Sequence, residues 1–159
     1  MPEDMSKYLV NIKTVQSGAI RILVEALKDI LTDTNIIFDE TGVKLIATDN
    51  SQSVLIHMRL LAEKFESFHC PKKTVIGVNM NNMFKLLKTM VNNDILSIFI
   101  EKNEPNKIGF QINNIDKNSQ TIFKMNLLDI GEDEIKIPPV KFETEPTFPS
   151  AEFQKLVRD

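Results

Sequence analysis

The sequence predicts an α+β domain. Three observations lead there: short stretches alternate apolar and polar residues, two longer stretches repeat apolar residues at helical spacing, and the order strand, helix, three or more strands occurs twice. The architecture expected is two helices packed on one face of a continuous, mostly antiparallel sheet. No sequence identity links the two halves, so the duplication rests on element order.

The elements follow one by one. Tyr8 to Thr14 alternates imperfectly and reads as a strand. Ser17 or Gly18 caps a helix in which Ala19, Ile20, Leu23, Val24, Leu27, Ile30 and Leu31 recur at three- and four-residue spacing through Asp33. Ile36 to Phe38, Val43 to Ala47 and Val54 to Leu60 are short strands, separated by the turns Asp39-Glu40-Thr41-Gly42 and Asp49-Asn50-Ser51-Gln52. Phe65 to Cys70 and Thr74 to Val78 are two more, broken at Pro71. A second helix starts at Asn79 or Asn81 and runs to about Val91, with Met80, Met83, Leu87, Met90 and Val91 at helical spacing. Asp94 to Glu101, Ile108 to Asn113 and Thr121 to Leu128 form a second meander.

From Asp129 the composition shifts. Residues 129 to 145 hold six acids against Lys136 and Lys141, with Pro138-Pro139 inside and Pro146 just after, which reads as an extended linker. Ser150 then caps a further amphipathic helix, and the sequence stops at Asp159 inside it. So short a helix with nothing after it to cover its apolar face is marginal in water, so the expectation is a chain cut short. The division expected is a tail over 1–7, a domain over 8–130, a connecting loop over 131–148 and the start of a second domain over 149–159.

Composition bounds the function. With 159 residues, 42% hydrophobic and 26% charged, one soluble domain with length to spare is expected. The N-terminus carries acids and no apolar core, and no apolar stretch approaches the roughly 20 residues of a membrane span, which gives the expectation of an intracellular, soluble chain without a membrane partner. The single cysteine, Cys70, removes a disulfide framework. His57 and His69 have no metal-ligand spacing, the loop at Asp49 lacks the glycine and glutamate of a calcium site, and the five glycines stand singly. Paired carboxylates such as Asp39-Glu40 and Glu132-Asp133-Glu134 fall in turns. No catalytic residue and no cofactor is expected.

The helices carry the positive signal. At 100° per residue, Lys28 falls about 20° and Glu25 about 40° from Arg21, with Leu23, Leu27 and Ile30 opposite; Lys85 and Lys88 lie within about 60° of each other. No acid occurs between Lys72 and Asn93, although the net charge is -3. A purely positive helical face suits phosphates, while ordinary solvation of two lysines is the other reading.

The segment from His69-Cys70-Pro71-Lys72-Lys73 through Gly77-Val78-Asn79 to Lys85-Leu86-Leu87-Lys88 resembles the signature of the eukaryotic sliding clamp, the proliferating cell nuclear antigen family. Val24 to Ile30 resembles its first helix, Gly42 to Asp49 the following hairpin, and Met125 to Asp129 with Ile135 to Pro138 the end of its first domain and the connecting loop. The resemblance covers about Leu9 to Asp159. It implies a DNA polymerase processivity factor whose subunits join head to tail in a ring, a homotrimer when full length, around double-stranded DNA. Arg21, Lys28, Lys85 and Lys88 would face the channel, continued by Lys155 and Arg158. The pocket for short client motifs, those of the polymerase included, maps to Thr48, Leu55, Ile135, Ile137 and Pro138, with Thr48, Gln52 and Ser53 departing from the family pattern; the edge strand at the subunit boundary maps to Ser119, Thr121, Phe123 and Met125. A clamp loader, a place in replication and repair, and a nuclear or cytoplasmic viral site are implied with it. A divergent viral or checkpoint-like clamp with different clients, or a small α+β enzyme or a peptide- or anion-binding module, are the alternatives.

Overall fold

Strand β1 (Tyr8–Thr14) buries Val10 and Ile12 and lies between β5 (Ser67–His69) and β7 (Ile95–Glu101), antiparallel to both. With β8 (Lys107–Asn114) and β9 (Ser119–Asn126) these form a five-stranded sheet in the order β5-β1-β7-β8-β9. A second sheet, in the order β4-β3-β2-β6, holds β2 (Asp33–Asp39), β3 (Gly42–Thr48), β4 (Leu55–Leu61) and β6 (Thr74–Asn79), again antiparallel throughout. The computed structural model describes residues 3–131 and 135–158; the acids Glu132, Asp133 and Glu134, placed in a loop by the sequence reading, and the terminal residues Met1, Pro2 and Asp159 lie outside them.

The pairing differs from the single continuous sheet expected. Each half contributes its first strand to the other half's meander: β1 pairs with β7, and β6 pairs with β2. The correspondence extends further. β5, which follows the first meander, flanks β1, while Leu128, which follows the second, bridges to Gly77 on β6. This exchange divides the strands between two sheets, and it gives the duplication a geometric basis that element order alone lacked.

Helix α1 (Ser17–Lys28) and helix α2 (Met80–Leu87) pack side by side over one joint core. They run antiparallel. The Ser17 hydroxyl donates to the Val91 carbonyl at 2.8 Å beyond the end of α2, while Lys28 at the other end of α1 lies over Phe84. Ser17 is therefore the first helical residue and its side chain is spent on a tertiary bond; Gln16 holds the cap position without a side-chain cap, and the helix ends at Lys28, short of Asp33. Asn79 caps α2 as the sequence suggests, accepting from the Asn82 amide at 3.0 Å. The helix ends at Leu87 instead of Val91, because the buried Asp94 carboxylate takes the Val91 amide at 2.8 Å while also accepting from the Asn114 side chain at 2.7 Å.

The core contains Val10, Ile12, Leu45, Val78, Met80, Leu87, Met90, Leu96, Ile100, Ile108 and Phe110, all essentially without solvent contact. Side chains from both sheets and both helices meet there, so the exchange of strands is sealed by burial. Helix α3 (Ser150–Val157) stands apart with no buried residue. Pro149 holds its cap position, and Ser150, expected as the cap, is its first residue and makes no capping bond. Phe148 packs on Phe153 with ring centroids 5.7 Å apart, a hydrophobic staple that fixes how the chain enters the helix.

Candidate nucleic-acid face and peptide groove

Helix α1 exposes Ala19, Ile22, Glu25 and Ala26, and buries Val24 and Leu27. Arg21 and Lys28 fall between, both half-buried, with Lys28 turned toward Phe84 of α2. This shifts the charged face drawn from helical angles alone. The Lys28 ammonium pairs with Asp29 at 2.8 Å and sits 5.0 Å from the Phe84 ring centroid, and Arg21 Nε is shielded from solvent without an acceptor among the described residues. Ile30, placed opposite Arg21 by periodicity, lies past the helix end and is exposed. Lys85 and Lys88 are both exposed, and neither makes an ion pair among the described residues. Lys155 and Arg158 are exposed too, but α3 makes no extended packing contact with α1 or α2, so they are not gathered into the same cluster.

A groove of about 370 Å³ lies on the outer face of the smaller sheet, beneath the chain that leaves β9. Ile37, Ile46 and Val75 form its floor, Asp33, Thr34, Asn35, Thr48 and Lys73 its sides, and Ile130, Gly131, Ile135 and Lys136 its cover. Gly77 explains how the cover comes so near: a Cβ there would collide with the Leu128 carbonyl oxygen and meet the Ile130 side chain at 2.9 Å. Two hydrogen bonds then fasten the crossing: Leu128 N–H donates to Gly77 O at 2.8 Å, and the Asn35 side-chain Nδ2 donates to Gly131 O at 2.6 Å.

Of the residues named for client binding, Thr48 and Ile135 line this groove. Leu55 stands beside Thr48 as its register partner on the same face, while Ile137 and Pro138 are exposed outside the lining. The floor residues escaped the sequence reading. Their signal was present: Ile36-Ile37-Phe38, Leu45-Ile46 and Val75-Ile76 are apolar on both phases of the alternation, the pattern of strands covered on both faces.

Strand β9 is the outer strand of the larger sheet and, among the described residues, pairs with β8 alone. Ser119, Thr121, Phe123 and Met125 share one face by period two, with Phe123 and Met125 resting on the core. On the opposite face Ile122 is 54% exposed and Lys124 reaches Glu104 at 2.5 Å. That hydrogen bond, with the attraction of the two charges, lowers the Glu104 carboxyl and raises the Lys124 ammonium from their ordinary values.

Elsewhere, buried Cys70 donates to the Lys72 carbonyl at 3.2 Å and burial pushes its thiol up, the setting of a structural cysteine. Among the described residues no cluster of three metal-ligating side chains occurs, and no helix is long and apolar enough to cross a membrane.

Two antiparallel sheets that exchange their leading strands behind a helix pair define a DNA-clamp domain. The profile of the proliferating cell nuclear antigen N-terminal domain matches residues 9–134, and the chain belongs to that family. It is 36% identical over 156 residues to "Probable DNA polymerase sliding clamp 1" of Paramecium bursaria Chlorella virus 1, covering 98% of this chain and 60% of that protein. It is 29% identical over 144 residues to the proliferating cell nuclear antigen of Chaetomium thermophilum, covering 91% and 55%. The chain thus spans a little over half the length of these curated relatives.

Proposed function

We propose that the chain is the N-terminal part of a DNA sliding clamp subunit, a processivity factor that holds a DNA polymerase on its template and carries out no reaction itself. Residues 8–130 form the first clamp domain, 131–148 the connecting loop, and 149–159 the opening of a second domain. The observation that carries this is the helix pair: Lys85 and Lys88 stand exposed and without an ion pair among the described residues, on a stretch free of acids, in a chain of net charge -3. Such contacts reach phosphates and carry no sequence information, as sliding requires.

In this reading Arg21, Lys28, Lys85 and Lys88, with Lys155 and Arg158, face duplex DNA inside a ring of three subunits, and the unpaired edge of β9 joins the next subunit. Clients with short motifs enter under the connecting loop, and a clamp loader opens the ring during replication and repair. The greater identity to the viral relative, 36% against 29%, favours a viral type of clamp acting at a viral or nuclear replication site. The test is Lys85→Glu with Lys88→Glu in the full-length protein. Clamp-dependent DNA synthesis falls while the melting temperature is held; unchanged synthesis would remove these lysines from the DNA face.

A further inference from the structure

The outer face of the smaller sheet is more basic than the chain as a whole. In the register, Lys44 stands opposite Arg59 and Ile46 opposite His57, and all four point away from the core. Ile37 is the partner of both Lys44 and Val75, so the apolar floor of the groove runs directly into this basic strip. Lys73 and Lys136 line the groove itself.

The acids on the same face are already engaged. Asp39 accepts from Lys44 at 2.9 Å and from the Thr41 amide at 2.8 Å, and Asp33 accepts from the Asn79 side chain at 2.8 Å. Arg59 is exposed and has no acidic partner among the described residues. Because Asp39 already holds Lys44, Arg59 is the cation of this cross-strand pair left without an acidic partner among the described residues, and an anion laid over it is favourable.

We propose that the groove takes a client segment in which an apolar anchor is followed by acidic residues, the anchor seated on Ile37, Ile46 and Val75 and the carboxylates over Arg59, beside the Lys44–Asp39 pair. The reach is right: along an extended segment, two residues advance about 7 Å, the spacing that separates Ile46 from Lys44 on β3. This inference rests on the reading of the groove as a client site and adds the charge of the client.

Fluorescence anisotropy on the chain tests it with three labelled peptides of about 12 residues: a common apolar anchor followed by three aspartates, the same anchor followed by three lysines, and the aspartate peptide with glycines at the anchor. At low salt the anchored aspartate peptide binds about five- to tenfold more tightly than the lysine peptide, the preference shrinks as salt rises, and Arg59→Glu abolishes it. The glycine peptide does not bind. Equal or tighter binding of the lysine peptide, or a preference untouched by Arg59→Glu, would overturn the acidic client and leave the groove as a client site. Equal binding of the glycine peptide would reduce the effect to surface charge and overturn the proposal. No binding by either anchored peptide would overturn the client site and this inference together.

Discussion

The Lys28 ammonium rests 5.0 Å from the centroid of the Phe84 ring, joining the end of α1 to the middle of α2. One charge thereby serves two ends. It ties the helices together, and its side chain is left 22% exposed, so it lends positive potential to the surface with less freedom than Lys85 or Lys88. A double-mutant cycle of Lys28→Met and Phe84→Leu, read by urea unfolding, is expected to give a coupling of about 0.5 to 1 kcal/mol. Additive losses would mean that the contact contributes nothing.

Asp39 supplies a pH signature. Burial acts to raise its carboxyl, but the Thr41 hydroxyl, Lys44 and the Thr41 amide outweigh it and hold the group at about 2, below the ordinary 3.8. Because the folded value is the lower one, the stabilisation is complete above the unfolded value and is lost as pH falls toward about 2. With the carboxylate 22% exposed, screening leaves on the order of 1 to 2 kcal/mol. Asp39→Asn should cost that much at pH 7 and almost nothing near pH 2, a convergence to be read from urea midpoints at both pH values.

Much of this architecture is legible in the sequence. Short apolar runs set between turn residues located the strands of both meanders, and Asn79 announced its helix by its own chemistry. What was hidden depends on distant partners. Nothing near Tyr8 says that it faces Glu101 across β1 and β7, so the division into two sheets could not be read from local period. Helical angles grouped Lys28 with Arg21 but could not show that α2 lies alongside and that Lys28 rests on Phe84. The groove was half visible: Thr48 and Ile135 were found through the family resemblance, whereas Ile37, Ile46 and Val75 looked like ordinary strand residues until the chain after β9 was seen to cross them.

Gly77→Ala tests that crossing. The added methyl would overlap the Leu128 carbonyl, so residues 128 to 130 must lift from β6. A loss of about 1 to 3 kcal/mol is expected, together with faster hydrogen exchange at the Leu128 amide, which donates to Gly77 in the native chain. Unchanged exchange would show that the crossing does not depend on the missing side chain.

Asp94 closes α2 from below. Asp94→Ala leaves the Val91 N–H and the Asn114 amide without their acceptor in a site only 3% exposed, at an expected cost of about 2 to 4 kcal/mol. Asp94→Asn keeps one acceptor oxygen and should recover part of that loss in a thermal melt; equal losses for the two variants would count against the hydrogen bonds as the cause.

The exchange of leading strands also sets an order of events. Strand β1 precedes the other described strands, yet its partner on one side, β7, comes only after the whole first meander, β6 and α2, and closing so wide a loop is slow. A nascent chain must therefore keep Val10 and Ile12 waiting until Ile98 and Ile100 have been made. Neither half of the domain can be released early as a finished piece.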